Sequence, residues 1–160
     1  MTPVTLLDEL QEFIEDATKE ILLRIKPTQR SPEGGERAAE VWKMSLPDKD
    51  SMTAKAPYIV LQVVNGLDDQ NAGDEQESTC NIRFVICVYS ENSSEGALDV
   101  LNLISRIRIA LERQRVIGNL FTLRLPVEYL VYTDQPAPFF LGEMMTVWEL
   151  PNIEREVNME

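Results

Sequence analysis

The feature that most constrains this chain is the stretch from Gly96 to Gly118, an apolar helical repeat bracketed by glycines and flanked on both sides by strand-like runs. Ala97, Val100, Leu101, Ile104, Ile107 and Leu111, widened by Leu103 and Ala110, recur at the helical period and predict a buried face from Ala97 to about Val116. A helix so placed needs a sheet to lie on. Thr79 to Tyr89 supplies one strand, with Cys80, Ile82, Phe84, Ile86 and Val88 on one face. Gly142 to Leu150 supplies another, with Met144, Thr146, Trp148 and Leu150 on one face. The expectation is an α+β fold. At 160 residues the chain fits one domain that can bury a core without disulfides or metals.

A second stripe runs along the same helix. Leu98, Ser105, Ile109 and Val116 follow the seven-four-seven spacing of a seam between helices, on a different side from the core face. Arg106, Arg108, Arg113 and Arg115 gather toward its C-terminal end, where cations suit the helix dipole. Such a stripe suits a contact with the first helix or with a neighbouring subunit, and Leu98, Ile109 and Val116, with Arg106, Arg113 and Arg115, are the candidate subunit interface. A widened core and internally paired arginines are the plainer readings of the same residues. Gly118 is expected to end the helix.

Thr2-Pro3 reads as an N-cap followed by proline in the first turn. Leu6, Leu7, Leu10, Phe13, Ile14, Ala17, Ile21 and Ile25 then predict one amphipathic helix running until Pro27 stops it. Residues 27–56 turn polar, with Ser31-Pro-Glu-Gly-Gly and Pro47-Asp-Lys-Asp-Ser as turn signals. This reads as a flexible insertion holding one short strand, Glu40 to Leu46. Tyr58 to Val64 is a further strand, and Asn65 to Glu77 a long solvated hairpin loop. That hairpin implies antiparallel pairing with the strand after it. Phe121 to Leu125 and Val127 to Tyr132 are extended segments divided by Pro126, and residues 152–160 should fray.

Several chemistries are disfavoured. The chain has no histidine, which removes the commonest general base and metal ligand. Asp68, Asp69, Asn71, Asp74 and Glu75 invite a calcium-loop reading, but counting from Asp68 the third residue is Gln70 and the twelfth Thr79, where that loop needs acids. Cys80 and Cys87 lie seven apart in one strand, so they point to opposite faces and cannot bridge each other. A net charge of −12 argues against holding duplex nucleic acid on the bulk surface. There is no secretory pattern at Met1 and no apolar run long enough for a membrane span, so a soluble product that starts in the cytoplasm where it is made is expected. No cofactor or metal is expected.

Read together, Pro57-Tyr-Ile-Val60, Asp99-Val-Leu-Asn-Leu-Ile104, Phe121-x-Leu123, Pro126-x-Glu128, Gln135-Pro-x-Pro138 and Gly142-x-Met-x-Thr-x-Trp-Glu-Leu-Pro-x-Ile153 resemble the tail terminator, or tail completion, proteins of long-tailed bacteriophages and prophages. The resemblance covers most of residues 40–155. It implies a mostly antiparallel sheet of about four to six strands flanked by two main helices. It also implies assembly into a homohexameric ring that caps the tail tube, ends tail polymerisation and meets the neck or head connector. DNA would pass through without specific binding. The protein would act by binding alone, in the virion, after assembly in the bacterial host cytoplasm. Trp42, Asp68, Asp69, Phe139 and Phe140, in loops spanning 27–56, 66–78 and 134–141, become the candidate residues for docking on tube or neck. The competing readings are another neck or minor tail protein of similar fold, a carboxylate metal enzyme and a host adaptor.

Overall fold

The computed structural model describes residues 2–46, 55–153 and 156. Helix α1 spans Pro3–Thr18. Thr2 caps it as expected: its hydroxyl accepts from the Thr5 N–H at 3.3 Å, and the Thr5 side chain returns a bond to the Thr2 backbone. Leu6, Leu7, Leu10 and Ile14 are buried. The helix stops well short of Ile25. The buried Thr18 hydroxyl donates back to the Ile14 carbonyl at 2.8 Å, and the Ile21 N–H closes a turn on Thr18. Ile21, Leu23 and Ile25 also alternate with period two, and the extended reading is the one adopted. Leu23–Arg24 (β1) pairs antiparallel with Glu36–Arg37 (β2), and Leu23 is buried. The supposed insertion is thus tied down over its described part. In its hairpin a Cβ on Gly34 would meet the Ile25 carbonyl at 2.6 Å, and φ there is +72°, so glycine is required on both counts. The Arg37 guanidinium donates to the carbonyls of Ala38, Lys55 and Pro57. The turn expected at Pro47 to Ser51 lies outside the described residues.

Strand β3 (Glu40–Lys43) ends early because Met44 takes a left-handed conformation at φ 67°. It runs parallel to β4 (Tyr58–Asp69). β4 pairs antiparallel with β5 (Glu77–Tyr89), β5 with β8 (Phe139–Leu150), and β8 with β7 (Phe121–Val131). The short β6 (Val116–Ile117) edges the start of β7. The six-stranded sheet therefore has the order β3-β4-β5-β8-β7-β6. Helix α2 (Ser93–Gln114) and α1 both lie on one face of it. The fold is α+β, a mixed and mostly antiparallel sheet with two helices.

The core forms where those helices meet the alternating faces of the strands. Ile82, Phe84, Ile86, Met144 and Trp148 from the sheet meet Val100, Leu103, Ile104, Ile107 and Leu111 from α2 and the leucines of α1. The sheet curls, so that α1 touches both ends of it. Gln11 donates to the Val41 carbonyl on β3 at 2.8 Å and Asp8 pairs with Lys43, while Glu9 lies against Gly118 beside β6. On the opposite sheet face Tyr58, Val60, Cys87, Tyr89 and Phe139 form a smaller apolar cluster, against which Trp42 and Leu46 pack.

The ends of α2 differ from the glycine brackets. Asn92 caps the helix, accepting from the N–H groups of Ser94 and Glu95, so it begins at Ser93. Gly96 sits inside the first turn, because a Cβ there would lie 2.2 Å from the Phe140 ring. At the other end Arg115, at φ 63°, returns its N–H to the Leu111 carbonyl and ends the helix without glycine. Gly118, at φ 60°, instead serves the tight turn between β6 and β7.

Candidate interaction surface

Leu98 and Ile109 stand three helical turns apart on the side of α2 that points away from the sheet, 57% and 42% exposed. Leu101, expected in the core, joins them at 36% exposure. Its place at the end of the core arc was taken by Leu103, which is fully buried. Val116 does not belong to this stripe. The helix has ended at Arg115, and Val116 is an exposed residue of β6. Arg106 and Arg113 flank the stripe, exposed and without an ion pair among the described residues. Arg115 is exposed too, and among the described residues its side chain bonds only the Glu112 carbonyl. Arg108 is already engaged, stacked over the Tyr129 ring at 5.4 Å and 3.7 Å from Glu112.

Next to this helix face the sheet ends in an open edge. β6 covers β7 only as far as Thr122, and the Leu123 N–H is taken by the Arg115 carbonyl. From Arg124 to Val131 no described strand borders β7 on that side. Leu125, Tyr129 and Leu130 are about half exposed along it. The two extended segments either side of Pro126 are one strand, interrupted by a register shift between Arg124 and Glu128. An unpaired backbone edge with large apolar side chains, beside an apolar helix stripe, is a surface for another protein chain.

The acidic stretch folds differently from the expected loop. β4 and β5 stay paired as far as Asp69 and Glu77, so the turn is confined to 70–76, where Gly73 has φ 85°. Asp68 and Asp69 are strand residues on this ribbon, with Val64 and Leu67 exposed beside them. Strand geometry sends neighbouring carboxylates to opposite sides. Among the described residues no group of three or more acids or thiols is placed to hold a metal ion. The hollow of about 410 Å³ at the ribbon's root holds Arg124, which reaches Glu149 at 3.6 Å and Glu77 at 4.0 Å.

Phe139 and Phe140 are not docking residues. They open β8 and are buried, Phe140 under Gly96 and Phe139 tilted against Tyr89 with ring centroids 5.7 Å apart. The apolar Phe-Phe-Leu sequence reflects a strand entering the sheet. Trp42 is half-buried on β3, its indole N–H without a partner among the described residues. The structure thus brings Leu98, Ile109, Arg106 and Arg113 together and leaves Trp42 and the two aspartates elsewhere. The bare sheet face carries one polar network. Arg83 donates twice to Gln62, at 3.0 and 2.6 Å, and lies 3.7 Å from Glu143, which also accepts from the Tyr132 hydroxyl at 2.7 Å. Burial and that bond push the Tyr132 phenol up from its ordinary value.

Cys80 and Cys87 are buried on opposite faces, as their spacing predicts. Burial pushes the Cys87 thiol up to about 11, opposed by its bond to Tyr58. The unfolded thiol ionises near 9.0, so Cys87 leaves stability intact below that pH and erodes it from there toward about 11. The expected slope is about 1.4 kcal/mol per pH unit. Tyr58, whose buried phenol is also raised, adds to the loss above pH 10. Urea unfolding at pH 8, 9.5 and 10.5 should show this decline, with Cys87→Ala flatter between 9 and 10. Equal slopes would remove Cys87 as its source.

No family model matches the chain, and no curated protein matches it. Among the described residues no helix is long and apolar enough to cross a membrane.

Proposed function

We propose that this chain is a structural protein of a bacteriophage or prophage tail, one that caps the tail tube, ends its polymerisation and presents a docking surface to the neck or head connector. It works by binding alone, as a homohexameric ring. The observation that carries this reading is the apolar surface made by the outer face of α2 and the open edge of β7, where Leu98, Ile109, Leu125, Tyr129 and Leu130 are kept out of the core on two rigid elements. The sequence resemblance supports it independently. So does the charge of −12, which lets DNA traverse a ring without adhering to it. The place of action is then the virion, at the junction of tail and neck.

Light scattering and negative-stain microscopy of the protein with its tail tube protein test the reading. Rings seated on tube ends are expected, and persistent monomers that ignore the tube would overturn it. Deleting the gene separates two roles within the tail: overlong tails mark a terminator, and normal tails without heads mark a joining protein. Replacing Leu98 and Ile109 together with serine should weaken self-association by about tenfold or more. The melting temperature should barely move, since exposed substitutions stay within about 0.5 kcal/mol. An unfolded double variant would return both residues to the core.

A further inference from the structure

The α2–β7 surface has one feature out of keeping with the rest of the molecule. In a chain of net charge −12, it carries Arg106, Arg113 and Arg115, none in an ion pair among the described residues. The β4–β5 ribbon is its counterpart. Val64 and Leu67 are exposed there, and Asp68, Asp74 and Glu75 likewise form no ion pair among the described residues. Among the described residues its own outer edge is open as well beyond Val63, because β3 borders β4 only from Tyr58 to Leu61 and the Val63 N–H donates to Met44 Sδ.

The register places the ribbon and the arginine end of α2 at one end of the sheet, and the open edge of β7 runs from there toward the other. Leu67 lies opposite Thr79, Thr79 opposite Glu149, and Glu149 opposite Thr122. The C-terminal end of α2 reaches that same end, because it passes through β6 directly into the start of β7. Strands β5 and β8 stand between the acids and the arginines, which sit on opposite flanks of the sheet.

We infer that the open edge of β7 and the arginine end of α2 receive the acidic β4–β5 ribbon of a second copy of this chain, head to tail. This rests on the ring-forming reading above and names the two surfaces that join. A neighbour set beside the β7 flank with its strands running the same way brings its ribbon level with Arg113. Three antiparallel steps separate β4 from β7, so the two run in opposite directions within a subunit. Such a neighbour therefore offers β7 an antiparallel partner strand. Level in register, Gln62 to Asn65 of the neighbour's β4 stands beside the open edge of β7 from Arg124 to Glu128, and its acids reach past that edge to the arginine end of α2. Because it joins two different surfaces, its repetition builds a ring where the rotation between copies closes and an open filament where it does not.

The test is a charge exchange, read by sedimentation velocity on the full-length protein. Arg106→Glu with Arg113→Glu makes one variant, and Asp68→Lys with Glu75→Lys the other. All four residues are exposed, and melting curves check that both variants fold. Each variant alone should need about tenfold more protein to associate. An equimolar mixture should recover association, because each carries the charge the other now lacks. If the lysine variant associates like the wild type, or the mixture fails to recover, the inference is overturned. Rings of wild-type protein on tube ends would still uphold the proposed function. A wild type that stays monomeric overturns the inference as well, and tube binding by that monomer then decides the function separately.

Discussion

Replacing Trp148 with alanine should destabilise the protein by about 3 to 5 kcal/mol, the range for emptying a large buried site. Trp148 is fully buried at the middle of the sheet, opposite Cys80 on β5 and Leu123 on β7. Its indole N–H donates to the Thr146 hydroxyl at 2.8 Å, and that hydroxyl donates to the Ile82 carbonyl at 3.0 Å. The relay fixes the ring and leaves no polar atom in it bare. Alanine removes the whole ring, and the surrounding strands are held by ladders on both sides, so the space cannot collapse. Domains of this size are stable by about 5 to 15 kcal/mol, so the loss is a large part of the total. Urea unfolding followed by far-ultraviolet circular dichroism measures it. Trp148→Phe, which keeps most of the packing and loses only the N–H, should lose much less. A loss below about 1 kcal/mol for alanine would mean that the site refills, against close packing around the ring.

How far the fold can be read from sequence depends on whether burial leaves a periodic mark. In β5 and β8 one face meets the helices and the other is thinly covered, so Cys80 to Val88 and Met144 to Trp148 alternate visibly. The far half of β4 is solvated on both faces. Its Asp68 and Asp69 carry no such mark, and a strand there looks like a loop. Ile21, Leu23 and Ile25 satisfy both periods at once, and pairing with Glu36–Arg37 decides between them. Gly96 marks a place where a ring approaches the helix, which reads in sequence like a helix boundary.

The candidate surface was legible in its helical half only. Leu98 and Ile109 fall on the outer side of α2 by periodicity alone, and the arginines stand out by composition. Val116 falls on the stripe by spacing, because nothing local announces a helix ending on a left-handed arginine. The exposure of Leu125, Tyr129 and Leu130 follows from β7 lying near the end of the strand order. That order is set by contacts distant in sequence, which no local pattern encodes.

Replacing Gly142 with valine should destabilise by about 3 kcal/mol, at the upper end of what overpacking a core does. Gly142 lies opposite Ile86 on β5 and Val131 on β7, directly beneath α2. A Cβ there would stand 2.5 Å from Val100 Cγ1, 3.0 Å from the Leu130 carbonyl oxygen and 3.2 Å from Ile104 Cδ1. The Val100 methyl could turn aside, but the Leu130 carbonyl belongs to a paired strand and cannot. The helix must therefore lift, and it carries Leu98 and Ile109 away from the edge of β7. Gly142→Ala, with a smaller intrusion, should cost about 1 to 2 kcal/mol and stay folded. It should also weaken self-association, although residue 142 is buried and touches no neighbour. Trimming the helix side with Val100→Ala in the Gly142→Ala background should recover part of both losses, a coupling of about 1 kcal/mol opposite in sign to two independent injuries. Urea unfolding and sedimentation of the two single variants and the double variant measure it. If the losses merely add, α2 is not seated on Gly142, and the distance between its outer stripe and β7 is set elsewhere.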